Sequence, residues 1–407
     1  MTGLGFKGRP GRYAVALATL VLSVASILAS APAATAAAAP AQQRPPSSAA
    51  LESELYGTSC TSASACTTVG DDETSAGVFV TLAERWSGTA WAIQSTPNPS
   101  AADASYLDGV SCTTASACTA VGHYTTSAGS TVTLAERWNG TTWTIQPTAN
   151  PTGATASFLS AVSCASASAC TATGYYLASG TYQTLAENWN GTSWTVQPTV
   201  NPSGATAGFL LGVSCTSASA CTATGYYTTG ASELTLAEDW NGAAWAVQPT
   251  ADPSGATASE LYGVSCISAS ACTAVGNYTT STGATVTLAE NWNGTAWTVQ
   301  STPTPSGALA GFLNGVSCTT AAACTAVGWY ETSPGAYETL AENWNGATWA
   351  VQSTPNPSGA SASYLFGVSC TSTPSCAAAG YTLDSTYTAL AEGWNGTAWA
   401  IQSTPTP

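Results

Sequence analysis

Leu185-Ala-Glu-Asn-Trp-Asn-Gly-Thr-Ser-Trp-Thr-Val196 decides how the chain is read. Asn190-Gly191 stands between two runs of period-two alternation, and Asn and Gly tolerate the positive φ of a type I′ turn. The stretch therefore reads as a β-hairpin, with Trp189 facing Thr192, Glu187 facing Trp194 and Leu185 facing Val196. On that register Leu185, Glu187, Trp189, Trp194 and Val196 share one face. The hairpin occurs seven times, with Asn-Gly in six copies and Ser87-Gly88 in the first.

A carboxylate recurs on this otherwise apolar face, as Glu84, Glu136, Glu187, Glu238, Glu290, Glu342 and Glu392. Such a carboxylate must be hydrogen-bonded or neutralised. Each is expected to accept backbone or indole N–H bonds within its own repeat. No second carboxylate recurs beside it, which argues against calcium, an ion that takes several oxygen ligands.

The 14 cysteines form seven C-x5-C pairs: Cys60/Cys66, Cys112/Cys118, Cys164/Cys170, Cys215/Cys221, Cys266/Cys272, Cys318/Cys324 and Cys370/Cys376. Each pair joins a run such as Leu-x-Gly-Val-Ser-Cys to one such as Cys-Thr-Ala-Val-Gly across a small polar turn. That is a second hairpin with the two Cys opposed at its mouth. Antiparallel non-hydrogen-bonded pairs bring Cα atoms to roughly 4.5 Å, within bridging range. An even count in an exported chain points to disulfides within each repeat. A zinc site would need paired C-x2-C-like spacing.

Successive first cysteines are 52, 52, 51, 51, 52 and 52 residues apart. Repeats at about 51–98, 103–150, 155–202, 206–252, 257–304, 309–356 and 361–407 fill the region 51–407. In the third, strand A is read at 157–164, strand B at 170–176, a loop at 177–183, strand C at 184–189 and strand D at 192–197. A Pro/Gly/Asn/Thr-rich link follows. Four short antiparallel strands per unit of about 50 residues predict an all-β fold, a seven-bladed β-propeller with one disulfide inside each blade. No strand is spare, so closure by blade-to-blade packing is expected.

These residues carry a resemblance. Val-Ser-Cys-x5-Cys-Thr-Ala-Val-Gly followed by Leu-Ala-Glu-x-Trp-Asn-Gly-x-x-Trp resembles the secreted β-propeller repeat proteins common in actinobacteria, over about 51–407. The Gly-x-x-Trp portion is similar to the end of a sialidase Asp-box, but Trp189 stands where that box has Asp. Kelch repeats are similar in length only.

Composition narrows the function. The net charge is −15, Lys7 is the only lysine, and past residue 36 the cationic residues are Arg44, Arg85 and Arg137. Nucleic-acid binders release counterions with Lys and Arg, so that class is excluded and an anionic membrane surface is disfavoured. Lys7, Arg9 and Arg12, an apolar run from Tyr13 to Leu28, and Ala34-Thr35-Ala36 read as a secretory signal over 1–36. Residues 37–50 read as a flexible Ala/Pro-rich tether. The expected product is a secreted or wall-associated monomer, off the membrane once the signal is cleaved, with no cofactor.

Function is sought where the repeats differ. After the strand A Leu come Tyr56, Asp108, Ser160, Leu211, Tyr262, Asn314 and Phe366. After the strand B Gly come Asp71, His123, Tyr175, Tyr226, Asn277, Trp329 and Tyr381. Rings mixed with polar tips suit glycans or extended peptides. Tyr56, Asp108, Tyr262, Phe366, His123, Tyr175, Tyr226, Trp329 and Tyr381 are therefore candidate ligand-binding residues, on the face carrying the B–C loops and D–A links. The plainer reading is tolerant, exposed positions that drift. His123, the only histidine, reads as an exposed loop residue before a general base. Asp71, Asp72, Glu73, Asp103 and Asp108 read as a solvated acidic loop before a calcium site or a carboxylate pair. A non-enzymatic glycan or protein binder leads. A purely structural cell-surface module and an extracellular hydrolase of sialidase or glycosidase type follow.

Overall fold

The computed structural model describes residues 52–407 apart from 101, 231, 373 and 374; the expected signal and tether lie outside the described residues. Those residues form strands, turns and links without a helix. The strands fall into seven antiparallel units of four, arranged as propeller-type blades. In the third unit these are β9 (Ala154–Ser166), β10 (Ala169–Ala178), β11 (Thr181–Trp189) and β12 (Trp194–Gln197).

The seven disulfides are Cys60–Cys66, Cys112–Cys118, Cys164–Cys170, Cys215–Cys221, Cys266–Cys272, Cys318–Cys324 and Cys370–Cys376, the pairing expected within each repeat. Two details differ from the expectation. The Cα atoms are 3.9–4.0 Å apart, closer than the roughly 4.5 Å of a regular pair. The two partners are also not equivalent at the mouth of a polar turn. Cys66, Cys118, Cys170, Cys221, Cys272, Cys324 and Cys376 are buried, at 1–8% exposure, whereas their partners are half-buried. The reason is that each second Cys stands on a strand paired on both sides: Cys170 faces Cys164 on one side and Trp189 on the other. Its sulfur then enters the joint with the preceding unit. The hydroxyls of Thr67, Thr119, Thr171, Thr222, Thr273 and Thr325 lie 3.5–3.8 Å from the Sγ atoms of Cys118, Cys170, Cys221, Cys272, Cys324 and Cys376.

The Trp hairpin has a different register from the one expected. Trp189 pairs with Trp194, Asn188 with Thr195 and Glu187 with Val196. The connection is four residues long, and of these only Gly191 has positive φ, at 93°. Asn190 Oδ1 instead accepts the Thr192 and Ser193 amides at 2.9 and 3.0 Å, a side-chain-closed turn. The slip is two residues, so the shared face survives. The tight two-residue turn lies elsewhere. Ser179 (φ 53°) and Gly180 (φ 80°) join β10 to β11, where Ala178 pairs with Thr181. Most of the loop read at 177–183 is therefore strand.

Large residues on one face and small ones on the other explain Leu-Ala-Glu-x-Trp. Leu185, Trp189 and Trp194 pack with Val121 and Ala135 of the preceding unit, while Ala186 packs with Leu210 and Trp245 of the following one. The apolar core thus lies in the joints between units rather than inside them.

The first strand of every unit carries a bulge. Pairing with the second strand skips Tyr56, Asp108, Ser160, Leu211, Tyr262, Asn314 and Phe366. The bulge brings the two backbones so close that a Cβ on Gly174 would sit 2.0 Å from the Phe158 carbonyl oxygen. Only glycine fits there.

One hydrogen bond recurs at every joint. The Ser before the first Cys accepts the first-Cys amide of the next unit at 2.9–3.0 Å: Ser59 with Cys112, Ser111 with Cys164, Ser163 with Cys215, Ser214 with Cys266, Ser265 with Cys318 and Ser317 with Cys370. Ser369 does the same for Cys60, joining the seventh unit to the first. At that joint Trp91 also donates to Gln402 at 2.8 Å, the Ala389 amide donates to Ser53 at 3.2 Å, and Leu55 packs with Ala379. Each end unit keeps its own four strands, β1–β4 (Ser53–Gln94) and β25–β28 (Ala362–Gln402).

The recurring Glu side chains are 0% exposed; among the described residues Glu84, Glu136, Glu342 and Glu392 have no amide or indole partner, and the other three have partners different from those expected. Glu187, Glu238 and Glu290 accept the Ala149, Val200 and Ala251 amides at 3.4–3.5 Å, from the link after the preceding unit. The bonds therefore cross the joint instead of staying within the repeat. Burial pushes Glu187 and Glu238 up to about 7, and Glu84, Glu136, Glu290, Glu342 and Glu392 up to about 8. At neutral pH the five near 8 are largely neutral acids and Glu187 and Glu238 are about half protonated, which is how the joints tolerate them.

Candidate functional site

The two variable positions do not lie on an exposed loop face. Tyr56, Asp108, Tyr175, Tyr226 and Tyr381 are at most 9% exposed, and Tyr262, Trp329 and Phe366 are half-buried. Their variability reflects the bulge, which frees one of them from the ladder, and packing against neighbours that vary with them. The acidic-loop reading fails: Asp103 is exposed but stands on the strand Ala102–Thr114, Asp72 and Glu73 are half-buried on the strand Ala65–Glu73, and Asp71 and Asp108 are buried.

The residues after the strand B Gly pair directly with those before the strand A Leu, a set the sequence reading passed over. The pairs are Glu54/Asp71, Tyr106/His123, Phe158/Tyr175, Phe209/Tyr226, Glu260/Asn277, Phe312/Trp329 and Tyr364/Tyr381. Rings contact across the joints as well. Phe79 stacks on Tyr106 at 5.9 Å, His123 meets Phe158 at 4.9 Å, and Tyr175 meets Phe209 at 5.0 Å. Trp329 meets Tyr364 at 5.4 Å, and Tyr56 meets both Phe366 and Tyr381. The result is an internal aromatic belt. The signal that could have found it was the strand A residue before Leu, which is aromatic in five repeats and Glu in two.

His123 belongs to this belt and is not an exposed loop residue. Its Nδ1 lies 3.1 Å from Asp108 Oδ2, with side-chain exposures of 11% and 6%. Its ring stacks on Tyr106 at 4.9 Å. The bulge at Asp108 turns that carboxylate onto the imidazole.

Outside the belt, the joints carry grooves. One cavity of about 370 Å³ is lined by Gln300, Ser301, Thr302 and Pro303 of one unit and by Trp344, Ala347, Thr348 and Trp349 of the next. Its counterpart, about 320 Å³, is lined by Gln94 to Pro97 together with Trp138, Thr141, Thr142 and Trp143. Both indole N–H groups of the first groove are engaged, Trp349 with Gln300 Oε1 at 2.9 Å and Trp344 with the Ala321 carbonyl at 3.2 Å. Such bonds fix the rings; Trp349 is buried against Trp344, so the accessible indole surface is that of the half-buried Trp344. Arg85 and Arg137 lie 6.0 and 5.6 Å over the Trp138 and Trp189 rings of the following units, a cation–π arrangement.

No family model matches the chain, and no curated protein matches it. Among solved structures it is similar to an ulvan lyase of a new polysaccharide lyase family, at 9% identity over 84% of this chain and 94% of that one, with a TM-score of 0.51. It is also similar to the six-bladed β-propeller lectin of Aleuria aurantia, at 12% identity over 72% of this chain and 92% of that one, with a TM-score of 0.42. At these identities the likeness is one of fold alone.

Proposed function

We propose that the chain is a secreted, seven-bladed, non-enzymatic propeller that binds glycan in the grooves at its blade joints. The observation that carries this is the groove lined by Gln300 to Pro303, Trp344 and Trp349. Indole faces held in place stack on the apolar faces of pyranose rings, while Gln, Ser and Thr supply the polar contacts that orient a sugar. One wall is the start of the D–A link. The other wall is the Trp hairpin. Neither groove is lined by a carboxylate, histidine or lysine, so neither offers a general acid or base. Seven disulfides favour an oxidising, extracellular setting.

A glycan array probed with the folded protein tests this. Saturable retention on some polysaccharide is expected, and it should be lost when Trp344→Ala is combined with Trp138→Ala, the equivalent ring of the second groove. Absence of retention on every glycan leaves the purely structural module as the reading. The Asp108–His123 contact is the one feature that favours a hydrolase. Turnover of a bound glycan that disappears in His123→Ala would establish it.

A further inference from the structure

The aromatic belt is interrupted at the joint between the fourth and fifth units. There the belt positions hold Glu233 on β15 (Ser232–Trp240), Glu260 on β17 (Ala256–Ser268) and Asn277 on β18 (Ala271–Thr280). Glu260 lies directly opposite Asn277, and a single parallel bridge pairs Glu233 with Ala258, two residues before Glu260. Tyr262 donates its hydroxyl to Glu260 Oε2, and the Glu233 and Glu260 carboxyls interact with each other. Tyr226 belongs to the same group, since burial and the charges of Glu260 and Glu233 both raise its hydroxyl.

The polar atoms left over are acceptors. Glu233 Oε2 and Asn277 Oδ1 have no hydrogen-bond partner, and their residues are 8% and 7% exposed. Such burial costs on the order of 1–3 kcal/mol per unsatisfied group. No internal cation answers them. Among the described residues Arg85, Arg137 and His123 all lie in the first two units.

From this we infer that the interruption of the belt is a binding site for one protonated primary amine, held by Glu233, Glu260 and Asn277. An ammonium has three donors and no acceptor, and the two unpartnered oxygens, Glu233 Oε2 and Asn277 Oδ1, would take two of them. A calcium ion would want six to eight oxygens, and no group of three metal-binding side chains occurs among the described residues. The equivalent joint between the seventh and first units has Glu54 and Tyr56 in the same relation, bonded alike, but Tyr387 stands where Glu233 would be. That joint keeps a carboxyl pair, Glu54 opposite Asp71, but has a ring in place of the Glu233 carboxyl, so Glu54→Gln compares a carboxyl pair without that third position. The inference is independent of the glycan grooves.

Calorimetric titration of the folded chain tests it, with glucosamine and the lysine side chain of Nα-acetyl-lysine amide as the two amine sources. One site per chain is expected for at least one of them, and the tighter of the two identifies the source. The N-acetylated counterparts of both probes should bind at least tenfold more weakly. Glu233→Gln and Glu260→Gln should each weaken amine binding at least tenfold, and Glu54→Gln should leave it unchanged. Equal binding of the acetylated probes, displacement of the amine by calcium, unchanged affinity in both Gln variants, or no saturable amine binding would each overturn the inference. The acetylated-probe comparison uses the unaltered protein, so it stands even if a variant fails to fold.

Discussion

Ser369 accepts the Cys60 amide proton at 2.9 Å across 309 residues of chain. Ser163 makes the same bond with Cys215 in the middle of the array. The joint between the two ends of the array is therefore chemically equivalent to an internal joint. Removing one acceptor leaves a part-buried amide unsatisfied, at a cost of about 1 kcal/mol. Ser369→Ala and Ser163→Ala should destabilise by the same amount to within about 0.5 kcal/mol in denaturant titrations. A silent Ser369→Ala beside a costly Ser163→Ala would mean that the array does not close in solution.

The buried glutamates make stability depend on pH. Burial holds their folded-state values at about 7–8, above the ordinary 4.5. The folded chain keeps protons that the unfolded chain loses, so this contribution is complete below about 4.5 and falls as pH rises to about 8. The melting temperature should decline between pH 5 and pH 9. Glu187→Gln should remove about a seventh of that decline. A melting temperature that rises over this range would contradict the assignment.

Much of this was legible in the sequence. Seven units, four strands each, the disulfide pairs and the shared face of Leu185, Glu187 and Trp189 all follow from spacing and alternation. The hairpin register was not legible, because Asn190 closes a four-residue turn with its side chain and leaves the same Asn-Gly signature as a tight turn. The bulge was hidden for a related reason. Alternation cannot reveal that Tyr56 or Asp108 stands outside the ladder, although the Gly at 70 and 122, opposite each bulge, was a usable sign. Glu187 was placed within its repeat because sequence distance says nothing about which unit lies across the joint. The burial of Cys118 or Cys221 against a neighbouring Thr was hidden in the same way.

The belt is core. Tyr226 is 1% exposed and stacks on Phe209 at 4.8 Å, so Tyr226→Ala should cost about 3–5 kcal/mol, as large-to-small changes of buried rings do. Trp344→Ala, on a half-buried groove ring, should cost less than half of that. The reverse order in thermal or denaturant melts would place the core on the outside of the blades.

Each disulfide closes the same separation of six residues. Replacing Cys164 and Cys170 together by Ala should cost about 2 kcal/mol on the loop-entropy argument. The Cys318/Cys324 pair should cost a similar amount. Unequal losses in equilibrium unfolding would show that the units are not energetically alike.

The most direct test compares groove and belt variants on one immobilised polysaccharide that retains the unaltered protein. Trp344→Ala with Trp138→Ala should abolish retention, while Trp329→Phe, a belt change that keeps a ring against Phe312, should preserve it. Retention that survives the groove change and is lost in Trp329→Phe would return the binding site to the belt.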